Sequence, residues 1–163
     1  MTNPFKIVFH NTKGLNSPHK RTLAFNHYRK LHTNILFLQA PHFLSTYYPN
    51  FYLATTSSKT KGVAICFRKG FHFHPLKQIL DSNGHFLILV GELQDIMITL
   101  VCYYGPNKQQ HLFFHTLQET ILGNQKGELI LAGDTNLFLS STLNHSKGSL
   151  ATHIADQYCS KEY

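Results

Sequence analysis

Apolar residues in this chain come in short blocks, and the spacing inside each block predicts its conformation. Residues 6–10 (KIVFH) are rich in strand formers, and Asn11-Thr12-Lys13-Gly14 ends them in a turn. Asn16-Ser17-Pro18 then supplies an N-cap and an early proline for a helix over about residues 18–31. Within it Leu23/Ala24, His27/Tyr28 and Leu31 recur at helical spacing, which predicts the face turned to the core. Lys20, Arg21, Arg29 and Lys30 are left largely exposed by that assignment. Residues 35–39 form a continuous apolar run, as expected of a strand covered on both faces, and Pro41 stops it.

The remainder turns β-rich. Residues 51–55, 63–67, 85–93 and 96–103 read as strands, with Gln94-Asp95 as a tight hairpin between the last two. Phe113, Leu117 and Ile121, four apart, mark a second helix over residues 110–122. A short strand at 128–132 delivers Gly133-Asp134-Thr135-Asn136 at its end. Beyond Phe138 the pattern is polar and weak. The order βαβ, then hairpins, then αβ predicts an α/β fold, a two-sheet sandwich with its helices packed outside the sheets. No repeat, low-complexity tract or Pro/Gly/Ser linker divides the chain.

Composition narrows the class. At 163 residues with 42% hydrophobic and 13% aromatic content, the chain is expected to be one globular domain, not a disordered segment. Its formal net charge of +7 favours a polyanionic partner, because neutralising phosphates releases condensed counterions, although charge also serves solubility. Three cysteines, Cys66, Cys102 and Cys159, lie far apart without a CxxC pair, which points to reduced thiols. No apolar run suits a signal peptide or a membrane span, so the expected setting is intracellular, nuclear or cytoplasmic.

Three loop motifs follow predicted strands: Asn11 with Gly14, Tyr104-Gly105-Pro106-Asn107, and Gly133-Asp134-Thr135-Asn136. Polar groups at strand ends are where α/β proteins place their sites. An Asp beside the path of a water can orient and activate it, and an Asn two residues on can donate to a developing phosphoryl charge. A divalent cation would normally complete such a site. Gly-Asp-x-Asn is also an ordinary turn, Asn11 also a turn cap, and Tyr104 also a half-buried strand-end aromatic.

Together the motifs resemble the endonuclease domain of LINE-type, non-LTR retrotransposons. That domain is of the endonuclease/exonuclease/phosphatase family, with a DNase I-like fold. The likeness begins at residues 11–21 (NTKGLNSPHKR) and passes through residues 36–43 (LFLQAPHF) and Lys61-Gly62-Val63-Ala64-Ile65. It continues over Tyr104-Gly105-Pro106-Asn107 and Gly133-Asp134-Thr135-Asn136 to Leu143-Asn144-His145-Ser146. It implies a partial domain over residues 1–148 with a divergent tail at 149–163, Mg2+ as cofactor and DNA as partner, and no small-molecule cofactor. It further implies that Asn11 helps position the metal, that Tyr104 contacts the scissile phosphate, and that Asp134 and Asn136 serve the attacking water and the oxyanion. Asn107 would support its loop, and Lys13, Lys20 and Arg21 would face nucleic acid.

The sequence departs from that pattern at two places. The family's metal-binding glutamate falls at Ala40, whose methyl group cannot ligate Mg2+, and His42 matches a histidine the family already has there. The terminal serine-aspartate-histidine motif is not found before Tyr163; His153 and Asp156 lie too near Asp134 and read as a solvated face. The expectation is therefore a catalytically impaired endonuclease domain lacking the last part of its fold, with strand edges left bare. The competing readings are a non-catalytic nucleic-acid-binding domain, with Lys59, Lys61, Arg68 and Lys69 added to the basic surface, or a transposon-derived relic. A small-molecule or lipid phosphatase ranks behind these.

Overall fold

The computed structural model describes residues 4–12, 17–39, 48–56 and 62–136. The first sheet holds β1 (Ile7–Asn11), β2 (Ile35–Gln39), β3 (Asn50–Thr55) and β4 (Gly62–Phe67), in the order β1-β2-β4-β3. The second holds β5 (Phe73–Leu80), β6 (Phe86–Leu93), β7 (Ile96–Tyr104) and β8 (Glu128–Asp134), in chain order. Two pairs are parallel, β1 with β2 and β7 with β8. Each needs a crossover, and the two helices supply them: α1 (Pro18–Lys30) and α2 (Gln110–Leu122).

Alternation along the strands builds three apolar layers. Ile35, Phe37, Val63, Ile65 and Phe67 of the first sheet meet Leu87, Leu89, Ile98, Leu100 and Cys102 of the second in the central core. The intervening residues face outward. Leu36, Leu38, Ala64 and Cys66 pack beneath Tyr28 of α1, and Phe86, Ile88, Val90 and Val101 beneath Leu117 and Ile121 of α2. This explains the continuous apolar runs of β2, β4 and β6: both faces of the inner strands are covered. The result is the expected two-sheet α/β sandwich with helices outside. Among the described residues no helix is long and apolar enough to cross a membrane.

Three local expectations need correction. The buried face of α1 is carried by Tyr28 with Ala24 and Phe25 beside it, whereas Leu23 is 58% exposed and His27 faces solvent. Tyr28 wins because its ring spans the layer, packs edge-on against Phe25 and brings its hydroxyl to His10 of β1. Burial, and then the neighbouring Cys66, pushes its phenol up to about 12. Ser17 does occupy the N-cap of α1, but its side chain makes no capping bond. Strand β5 was not expected at all. It contains Pro75 and is mostly exposed, and its pairing with β6 slips by a residue between Pro75 and Lys77, as an edge strand tolerates. The Gln94-Asp95 hairpin is as expected, with both residues at positive φ (51° and 63°).

Among the described residues, the two outer strands of the second sheet differ in kind. Edge strand β5 carries a bulge, a proline and Lys77, all of which discourage pairing. Strand β8 has none of these, and Leu129 and Leu131 remain 39% and 49% exposed.

Candidate active site at the joint of the two sheets

Parallel pairing sends the C-terminal ends of β1 and β2 to one rim of the sandwich, and those of β7 and β8 to the same rim. Asn11 stands in register with Gln39, and Tyr104 with Asp134. All four residues fall on the strand positions that face the other sheet, in phase with Ile7, Phe37, Cys102 and Ala132 of the central core. The sheets meet through their side chains. Asn11 Nδ2 donates to Asp134 Oδ2 at 2.6 Å, joining residues 123 positions apart. Gln39 Nε2 donates to the Tyr103 carbonyl at 3.2 Å, and Thr12 Oγ1 holds the Gln39 carbonyl at 2.7 Å.

The Gly-Asp-Thr-Asn segment forms a turn and does more than turn. Asp134 Oδ1 accepts the Asn136 backbone N–H at 2.9 Å, which sets Asn136 in the left-handed region (φ 51°). Asn136 Nδ2 then donates to the Gly105 carbonyl at 2.6 Å, and Gln110 of α2 donates to the Asn136 carbonyl at 3.0 Å. The Gly105 N–H returns to the Asp134 carbonyl at 2.7 Å. The two loop motifs are thus tied to each other by reciprocal bonds. A side chain at 105 has no room, because a Cβ there would lie 2.2 Å from the Thr135 carbonyl. Gly105→Ala is expected to destabilise the chain by about 1–3 kcal/mol, the usual cost of overpacking. Urea melts beside the native chain check this; an unchanged midpoint would mean that the loop gives way freely.

Gly133 has a comparable reason: a Cβ there would lie 2.4 Å from the Tyr103 ring. The Tyr103 phenol is pushed up by burial, then by the Asp134 carboxylate and Cys102, so it stays a neutral hydroxyl near that charge. Cys66 and Cys102 are buried free thiols pushed up by burial, which makes them packing groups and not nucleophiles. Among the described residues no three His, Cys, Asp or Glu side chains are grouped as a metal cluster.

Of the residues singled out in the sequence, Asn11, Asp134 and Asn136 form one bonded set, with Tyr104 beside them in register. Asn107 is exposed on the loop after β7, and Lys20 is exposed in the first turn of α1, the helix that follows β1 in the chain. Arg21 is half-buried in the same turn. Arg68 and Lys69 follow β4, whose C-terminal end pairs with the start of β2, so they lie at the opposite end of the sandwich. They do not share a surface with the site. Lys13, Ala40, His42, Lys59, Lys61, Leu143-Asn144-His145-Ser146, His153 and Asp156 lie outside the described residues. Sequence reasoning carried Thr12, Gln39 and Gly105 inside its motifs without giving them a role, and it missed Gln110. Gln39, a lone polar residue closing an apolar strand, left a further signal.

No protein-family model matches the sequence. Solved structures do resemble it. The endonuclease domain of TRAS1, a telomere-specific non-LTR retrotransposon, superposes with a TM-score of 0.66 at 13% identity, over 96% of this chain and 70% of that one. D. rerio TDP2 complexed with a single-strand DNA product gives 0.62 at 16% identity, over 82% and 61%. An endonuclease/exonuclease/phosphatase family protein from Bacteroides thetaiotaomicron gives 0.56 at 14% identity, over 82% and 62%. This chain therefore spans less than two thirds of the last two. At such identities the likeness is one of fold. The chain has the two-sheet fold of the endonuclease/exonuclease/phosphatase proteins, and in that fold it resembles the endonuclease domain of a LINE-type element.

Proposed function

We propose that this chain is a nuclease-type domain of the LINE endonuclease kind, directed at DNA, whose Mg2+-dependent phosphodiester hydrolysis is impaired by alanine at position 40. We take residues 1–148 as the partial domain and 149–163 as a divergent tail. The observation that carries the reading is the 2.6 Å bond from Asn11 to Asp134, which brings two motifs from opposite sheets to one point. A turn alone has no need of that partner.

The chemistry follows from the donors and acceptors in place. The Asp134 carboxylate is an acceptor that can orient a water and take its proton. Asn136 Nδ2 uses one hydrogen on Gly105 and keeps a second, which suits a phosphoryl oxygen as negative charge grows on it. Tyr104, in register with Asp134, offers a hydroxyl to the same phosphate. Lys20 and Arg21, with Lys13 and Asn107, would hold the flanking backbone, in keeping with the net charge of +7.

The residues present fit a hard divalent cation through Asp134 and Asn11, both oxygen-bearing, better than a soft one. Bound there, Mg2+ would neutralise charge on the phosphate. One carboxylate is a thin set for such an ion, and Ala40 adds nothing to it. The same observation favours a second reading, a DNA-binding domain that no longer cuts.

Plasmid nicking with Mg2+ separates the two. The native chain is expected to nick slowly or not at all, and Ala40→Glu to raise the rate by about tenfold or more, the scale on which partners of a metal site act. Binding of short duplex DNA is expected to weaken steeply with salt. Fast nicking by the native chain would overturn the impairment, and affinity indifferent to salt would overturn the DNA-backbone contact.

A further inference from the structure

Gln39 is 7% exposed, and its Oε1 is buried without a hydrogen-bond partner. The orientation of its amide is not arbitrary. The Tyr103 carbonyl can only accept, so the nitrogen must face it and the oxygen must be the orphan. A buried carbonyl oxygen left unpaired costs about 1–3 kcal/mol, so it is expected to have a ligand. Its surroundings say which kind. Gln39 lies on the strand next to Asn11, in register with it and on the same face, and that face carries the Asn11–Asp134 bond. Gln39 Oε1 and the Asp134 carboxylate are both acceptors at this joint of the sheets, so neither can satisfy the other. A cation between the two relieves both.

We infer that Gln39 Oε1 is an oxygen ligand of the divalent-cation site, acting one residue before the alanine that cannot serve. The inference rests on the reading of Asp134 as the heart of that site. An amide oxygen is a hard, neutral donor, suited to Mg2+ or Mn2+ and weaker than a carboxylate. The site it makes with Asp134 binds these ions weakly, and the inter-sheet bond to Tyr103 holds the donor in place before the ion arrives. The alternative ligand for an orphan of this kind is a buried water with no role in cation binding.

The test is Mn2+ binding by the purified full chain, followed by the electron paramagnetic resonance of the free ion, with circular dichroism to check folding. Native chain, Gln39→Leu, Gln39→Glu, Ala40→Glu and Asp134→Asn are compared. Gln39→Leu is expected to weaken Mn2+ by about tenfold, and Gln39→Glu, which keeps the shape and adds a charge, to tighten it by a similar factor. Should Gln39→Leu not fold, Gln39→Glu decides alone. Native-like affinity in a folded Gln39→Leu, or no gain in Gln39→Glu, would assign the orphan to water and overturn the inference while leaving the site intact. Binding of the ion by Ala40→Glu alone would overturn it in the same way. Unchanged affinity in Asp134→Asn would instead overturn the underlying reading of the site.

Discussion

Phe37→Ala should remove about 3–5 kcal/mol of stability, the cost of emptying an aromatic-sized space in a packed core. Phe37 is the middle residue of β2, fully buried, with Phe9 and Ile65 beside it in register and the second sheet across from it. Domains of this size hold roughly 5–15 kcal/mol in total, so the variant would sit near the edge of folding at 37 °C. Urea denaturation with an unchanged slope would report the loss cleanly. Leu23→Ala is the matched control. At 58% exposure it should move the midpoint by less than about 0.5 kcal/mol. A Phe37 variant as stable as that control would mean that the sheets can close over the gap, contrary to the packing described.

Asp134→Ala should have the largest effect at the site. Its carboxylate is the acceptor for Asn11 Nδ2 on one oxygen and for the Asn136 N–H on the other. Removing it leaves two partly buried donors without that acceptor and releases the turn that positions Asn136. The stability cost is about 1–3 kcal/mol. The functional cost is best read in the Ala40→Glu background, where nicking is expected to be measurable. Adding Asp134→Ala there should lower the rate by on the order of 10²–10⁴-fold, the range a positioned general base supplies. A double variant that nicks as fast as Ala40→Glu alone would remove Asp134 from the chemistry.

What was legible in the sequence, and what was not, divides along a physical line. Inner strands such as β2 and β6 could be read because burial on both faces leaves unbroken apolar runs. Helix α2 could be read because Phe113, Leu117 and Ile121 repeat at its period and two of the three are buried. Strand β5 was hidden because an exposed edge places few demands on its side chains, and Pro75 argued against it. The face of α1 was read correctly at Ala24 and Tyr28 but not at Leu23 and Leu31, which look like core residues until the large Tyr28 ring takes the position over the first sheet. At the site, Asn11, Asp134 and Asn136 belong to motifs that can be seen one at a time, so their positions were within reach. Gln39, Gly105 and Gln110 matter through residues that meet them only once two sheets have docked. No local pattern encodes that meeting.

The Asn11–Asp134 bond also dates the site within the life of the molecule. Its partners are 123 residues apart, and each sits on a separate sheet. Contacts that distant are entropically late, since the intervening chain must be ordered before their ends can stay together. On a ribosome, Asn11 would emerge and pair with β2 well before Asp134 had been made. The joint is therefore a product of a nearly finished fold and not a guide to it. Damage there is expected to hasten opening far more than it slows assembly. The site would come apart first while the two halves kept their shape.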